Sequence, residues 1–261
     1  MTDQTGDAGP DIRRQIAEYG AELMRFREML DLAFAGGARS SKSPEDRVVF
    51  PLLVSCRDIV EEILFALNDG FGRAALRSAR TMYECVVTAR YLNLHPEKTD
   101  DFLAVFHSQW AKAVQNIPSQ FRSSTSMHSD LAAYVPKYAQ GKLVSMRDLN
   151  WSGKHTLEMA REAGALANLH SVAFDYASAF VHPSAMFVVR TLTQPTPDDN
   201  VFYVSVSPQD EEAKLALLVA HDLALNAVDL RLRYSPSGSL QNCFDECKQD
   251  FLRIWSFSPH I

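Results

Sequence analysis

The sequence predicts an all-α, multi-helix bundle with a small β-hairpin excursion near residues 186–206, and three observations carry that expectation. Apolar residues recur at helical spacing through most of the 261-residue chain. Start and stop signals such as Ser43-Pro44-Glu45-Asp46, Asp69-Gly70, His95-Pro96 and Ser207-Pro208 cut these runs into helix-sized pieces. Only Met186 to Leu192 and Val201 to Val206 read as extended, with the turn-rich QPTPDDN between them. No repeat at a fixed period and no sustained heptad suggests a solenoid or a long coiled coil.

Taken in order, residues 1–10 combine Gly, Asp and Thr with almost nothing to bury and are expected to be disordered. Residues 11–261 are expected to form a single helical domain. Asp11 to Phe34 places Ile12, Ile16, Leu23, Met24, Met29 and Leu30 among charged residues, an amphipathic helix that Gly36-Gly37 ends. Ser43 is placed to cap the next helix, with Pro44 in its first turn and acids favoured by the dipole. That helix runs to about Asn68. Asp69-Gly70 then supplies a tight turn, so it should form an antiparallel hairpin with a helix over Phe71 to Leu94.

His95-Pro96 stops this third helix, because a residue before proline avoids the helical region. Asp100 to Val114 resumes with Phe102, Leu103, Val105, Phe106 and Trp110 at helical spacing. Pro118 to Gly141 is the least regular stretch. Leu157 to Ala163 and Ala165 to Phe180 read as two helices parted near Gly164. Ser207-Pro208-Gln209-Asp210 opens a long helix through Arg233, and Leu240 to Ile254 is the last, so that residues 207–261 make a C-terminal helical pair.

Composition narrows the function classes. The chain is 46% hydrophobic and 22% charged, with 26 basic against 32 acidic residues and a formal charge of -6. A broad basic surface that grips nucleic acid through counterion release is therefore not advertised. The four cysteines form no CxxC pair, which favours a reduced, cytoplasmic setting. The acidic N-terminus has no apolar leader and no window approaches a membrane span, so neither secretion nor a membrane partner is expected. No Glu-x-x-His occurs, and no Cys and His spacing suggests zinc, so neither a metal nor a cofactor is expected.

The chemistry concentrates on the third helix. Arg73, Arg77, Arg80 and Glu84 fall at i, i+4, i+7 and i+11, a single charged stripe on a helix where Ala75, Met82, Val86 and Ala89 supply apolar surface elsewhere. Arg80 and Glu84 can pair on an exposed face for a few tenths of a kcal/mol. A central position for the helix would instead bury the stripe and force its charges to find partners. In that case Arg77 and Arg80 suit a phosphate or carboxylate held in bidentate fashion, with Glu84 orienting Arg80 or acting as base.

Three pieces of the chain together resemble the bacterial helical family called domain of unknown function 5677. They are Arg77-Ser78-Ala79-Arg80-Thr81-Met82-Tyr83-Glu84, the turn Asn150-Trp151-Ser152-Gly153-Lys154, and Tyr176-x-Ser178-x-x-x-His182-Pro183. The resemblance spans roughly residues 45–190. It implies a helical fold with a shared polar site, and no settled activity.

Several rival readings stay open beside it. His182 suits a helix-end cap or an acid or base role, and Ser178 lies one turn earlier on the same side. Tyr176 reads as a core aromatic with one bonded hydroxyl or as part of the site. Lys154 lacks the glycine that a triphosphate loop needs, since position 148 is Asp148, but it precedes a helix and can meet an anion. Arg90 to His95 and Arg122 to His128 both match the Arg-x4-6-His motif of HEPN-type helical ribonucleases, a match that chance alone readily supplies. Glu62 is placed to pair with an arginine of the next helix. The reading drawn is a polar site of Arg77, Arg80, Glu84, Tyr176, Ser178, His182 and Lys154 for an anionic small molecule or RNA, in the enzyme version a metal-independent ribonuclease of toxin or defence type. In that version His182, Glu84 and Arg80 are the catalytic groups. The alternative is a non-enzymatic module in which the stripe is scaffolding and the C-terminal helices pack on a second copy, a homo-oligomer.

Overall fold

The computed structural model describes residues 20–34, 46–103, 151–181, 192–193, 203–204, 209–256 and 258–260. Among them the long helices are α1 (Gly20–Phe34), α2 (Asp46–Asn68), α3 (Gly72–Leu94), α6 (Asp210–Tyr234) and α7 (Gly238–Trp255), with the short α4 (Thr156–Glu162) and α5 (Ala177–Val181) between. The expected start at Asp11, the Ser43 and Ser207 caps, the stretch from Pro118 to Gly141 and His182 lie outside the described residues.

The α2–α3 hairpin forms as its turn predicts. Gly70 has φ 80, a left-handed value that costs glycine little. Its amide donates to the Leu67 carbonyl at 3.0 Å and the Phe71 amide donates to Ala66 at 2.8 Å. These are the paired bonds that close a helix on a left-handed residue and satisfy its last carbonyls. The chain reverses within two residues, and Val60, Ile63 and Leu67 of α2 and Leu76, Ala79 and Val86 of α3 are fully buried.

α6 runs parallel to α3. Arg73 lies against Glu212 (3.6 Å) and Arg90 against Asp229 (2.8 Å), so contacts advance together along both helices. At their N-termini the approach is close: a methyl group on Gly72 would stand 2.2 Å from the Gln209 carbonyl oxygen and 2.6 Å from the Ala213 nitrogen. Gln209 also turns its side chain across, and its Oε1 accepts the Arg73 amide at 2.7 Å. This supplies the N-terminal cap that Phe71 at the head of α3 does not provide. Residues 219–228 of α6 are all buried, the pattern of a helix packed on every side.

α1 and α7 close the bundle. Arg25 pairs with Asp250 (2.5 Å) and Arg253 with Glu22 (2.6 Å), while Arg27 on Glu61 and Arg57 on Asp31 tie α1 to α2. Arg231 Nε donates to the Ala33 carbonyl at 3.2 Å, satisfying one of the open carbonyls at the end of α1. Among the described residues no helix is long and apolar enough to cross a membrane.

The β-hairpin expected near 186–206 is a correction. Among the described residues, extended structure reduces to a two-residue antiparallel pair, Leu192 opposite Val204 and Thr193 opposite Tyr203. Two residues a side is far below the five or so that a typical strand needs, so this is a local pairing on an otherwise all-helical frame.

The second predicted helix over Ala165 to Phe180 is also more varied than its apolar spacing suggests. Gly164, at φ 105, breaks it from α4 as expected. It continues as a 3-10 stretch (Ala165–Leu169), a wide π turn (Ser171–Tyr176) and then α5. The segment runs antiparallel to α3, since Leu166 and His170 meet Tyr83, Phe174 meets Arg80 and Phe180 meets Arg73.

Candidate functional site

An imidazole, that of His170, comes to α3 beside the charged stripe, where it meets Tyr83; His182 lies outside the described residues. Tyr83, fully buried, projects from α3 so that its hydroxyl lies 3.2 Å from the Leu166 carbonyl and 3.1 Å from His170 Nδ1. On the other side of the ring, Nε2 stands 3.5 Å from Asp175 Oδ1. A carboxylate only accepts, so the proton of the neutral ring belongs on Nε2, and Nδ1 is left to share the Tyr83 O–H with the Leu166 carbonyl.

His170 stacks on Phe174 with ring centroids 4.9 Å apart and planes 16° from parallel. Phe174 also meets Arg80, whose guanidinium carbon sits 4.6 Å from the ring centroid. Guanidinium, phenyl ring and imidazole thus follow one another beside the middle of α3. A cation over an aromatic face gains about 0.5–2 kcal/mol depending on its solvation, which holds Arg80 in place without using its hydrogen bonds.

Those hydrogen bonds are only partly used. Arg80 Nη2 donates to Glu84 Oε1 at 3.2 Å, while Nε is buried and has no acceptor among the described residues. Arg77 is exposed one turn earlier; its Nε donates to the Arg73 carbonyl at 3.4 Å, and no carboxylate among the described residues reaches it. Burial raises the Glu84 carboxyl above its ordinary range, with Arg80 pulling it back. Burial lowers the His170 imidazole, Asp175 opposing and Arg161 adding to the shift, and burial raises the Tyr83 phenol.

The remaining predicted residues divide. Ser178 donates to the Phe174 carbonyl at 2.5 Å, a bond back along its own helix. Tyr176 is half-buried and meets Phe180 edge to face at 5.2 Å. Lys154 belongs to a separate cluster: it pairs with Glu162 and lies 5.6 Å from the Tyr91 ring centroid, and Glu162 also contacts His95 Nε2 at 3.0 Å. Tyr91 is eleven residues past Arg80, about 16 Å along the helix axis, so the Trp-Ser-Gly-Lys turn serves the far end of α3. Glu62 accepts from Ser78 at 3.4 Å where an arginine was expected. Arg90 and His95 do not converge either, since Arg90 is buried on α6, bonded to the Asn226 carbonyl and Asp229, while His95 faces Glu162 and Glu97.

Sequence reasoning missed His170 and Phe174. The signal was present: His170 lies four residues after Leu166 and four before Phe174, at the border of the apolar face formed by Leu166, Leu169, Ala173, Ala177 and Phe180. Among the described residues no group of three His, Cys, Asp or Glu side chains could hold a metal ion.

No curated protein and no solved structure matches the chain. A family model does: the one described as a family of unknown function (DUF5677) covers residues 46–197, which takes in α2, α3 and the segment bearing His170. That match spans more than half of the 261 residues, and the chain belongs to the domain of unknown function 5677 family.

Proposed function

We propose that the chain recognises a phosphate-bearing ligand, a nucleotide or RNA, through Arg77 and Arg80. One observation carries the reading: among the described residues, two guanidiniums one turn apart have a single carboxylate between them, Glu84, and that carboxylate is itself weakened as an anion by burial. The stacking of Arg80 on Phe174 orients the guanidinium before a ligand arrives. Pre-orientation of this kind reduces the entropy lost on binding.

Binding is favoured over cleavage. A ribonuclease needs an imidazole free to exchange a proton with the reacting oxygens. His170 is buried and both of its ring nitrogens already face protein groups, Tyr83 and Asp175. The interaction-module alternative draws less support in its original form, because residues 219–228 of α6 are enclosed within the chain itself.

The test is titration of purified protein with labelled single-stranded RNA and with a nucleoside triphosphate, in chelator. Arg77→Ala and Arg80→Ala should each weaken binding about tenfold, the loss expected for one charge-assisted contact, with the far-UV helical signal unchanged. Equal affinity in all three proteins sinks the reading. Cleavage that survives chelator and disappears in His182→Asn restores the enzyme version.

A further inference from the structure

A second polar cluster lies at the middle of α6. After Trp255 the chain turns at Ser256, whose backbone is left-handed (φ 60, ψ 21), and residues 258–260 return to α6. There residue 260 is read at three points. Its amide donates to Asp222 Oδ1 at 3.0 Å, its carbonyl accepts from Asn226 Nδ2 at 2.9 Å, and its imidazole Nδ1 stands 2.6 Å from Asp222 Oδ2.

Asp222 is fully buried, yet among the described residues two of the three donors on its carboxylate come from residue 260; the third is Asn226 Nδ2 at 3.1 Å. A carboxylate that deep is costly without such donors. The surrounding charges are otherwise engaged. Arg90 of α3 bonds the Asn226 carbonyl and Asp229, Arg233 bonds Asp229 as well, and His221 turns toward Phe26 and Phe251. Ser258 is exposed and Pro259 and His260 are half-buried, so the returning segment buries little apolar surface. Among the described residues its hold on α6 is this set of polar contacts, and segments held in this way open locally before the whole protein unfolds.

We propose that Asp222 and Asn226 form an imidazole-binding niche filled by the chain's own His260, so that residues 258–260 are a detachable latch tying the end of α7 to the middle of α6. The ligand class of the niche is a histidine-bearing peptide segment, recognised by its backbone N–H and C=O together with a donor at Nδ1. The inference does not depend on the arginines of α3.

Hydrogen exchange at the residue 260 amide and the melting midpoint of the full chain test it. An asparagine amide nitrogen occupies nearly the place of Nδ1, and a glutamine nitrogen that of Nε2. His260→Gln should therefore exchange about tenfold faster and melt lower, while His260→Asn stays near the parent. In His260→Gly at pH 8, added imidazole should raise the midpoint and 1-methylimidazole, which has no N–H when neutral, should not. Asp222→Asn should lose the imidazole response; if that variant does not fold, the His260 series decides alone. Equal protection in His260→Gln and His260→Asn, or equal rescue by the two imidazoles, overturns the niche.

Discussion

The Tyr83 hydroxyl and His170 Nδ1 stand 3.1 Å apart, joining the middle of α3 to a segment 87 residues later in the chain. This contact, with the Leu166 carbonyl beside it, fixes the register of the 165–181 segment against α3 and so decides which aromatic ring lies under Arg80.

Tyr83→Phe keeps the ring and removes the hydroxyl, taking away the one O–H that the Leu166 carbonyl and the imidazole nitrogen share in a buried setting. The expected cost is about 1–3 kcal/mol, read as a lower urea midpoint with an unchanged slope. A midpoint equal to the parent's means that the bond contributes nothing net.

His221 sets a pH dependence. Its Nδ1 accepts from the Trp255 indole at 3.4 Å, which leaves the ring proton on the buried Nε2. Burial lowers the imidazole from 6.5 to about 4, with Asp250 and the Cys247 backbone opposing the shift. The unfolded chain therefore takes up a proton at this residue that the folded chain refuses. Stability is lost as pH falls from 6.5 toward 4, by about 3 kcal/mol from this residue. Denaturant titrations of His221→Phe should lack that component; parallel pH profiles in the two proteins count against it.

Gly72→Ala probes the contact between the heads of α3 and α6. Its new methyl would meet backbone atoms of Gln209 and Ala213, which cannot swing aside as a side-chain tip can. A loss of about 1–3 kcal/mol is expected, against little change for Gly20→Ala, where nothing lies within 4 Å of the added carbon. Thermal melts of the two variants side by side make the comparison.

Glu84 gives the proposed anion site its own pH response. Its raised carboxyl takes up a proton earlier than an ordinary glutamate as pH falls, and that proton frees Arg80 for the ligand. Phosphate-ligand affinity should therefore rise toward acid pH. Glu84→Gln should bind more tightly at neutral pH and lose this part of the rise, leaving any share due to His170, whose imidazole titrates lower than usual. An unchanged profile in the variant rules Glu84 out as the gate.

Much of the frame was legible because it follows from local rules. Asp69-Gly70 marked the hairpin, His95-Pro96 the end of α3, and the run from Asp210 through Arg233 the length of α6. The site was legible in half: the Arg80 and Glu84 spacing is a property of one helix, and those two residues do pair. The approach of His170 was not, because it depends on a tertiary register that spacing along one segment does not encode. Asp222 and Asn226 were hidden for the same reason. Polar residues four apart in an apolar helix look like errors of pattern until a distant segment, here residue 260, arrives to meet them.

The wide turn at Ser171–Tyr176 follows a 3-10 stretch and precedes α5. It works as a vernier: a tighter coil advances the side chains too fast around the axis, a looser one gives back the excess, and His170, Phe174 and Phe180 all come to face α3. Deleting a single residue there would rotate everything downstream by about 100°, the angular step of one helical residue. Phe180 would then point away from Arg73 while His170 kept its place, so the segment's two ends can be uncoupled by changing length alone, with every side chain retained.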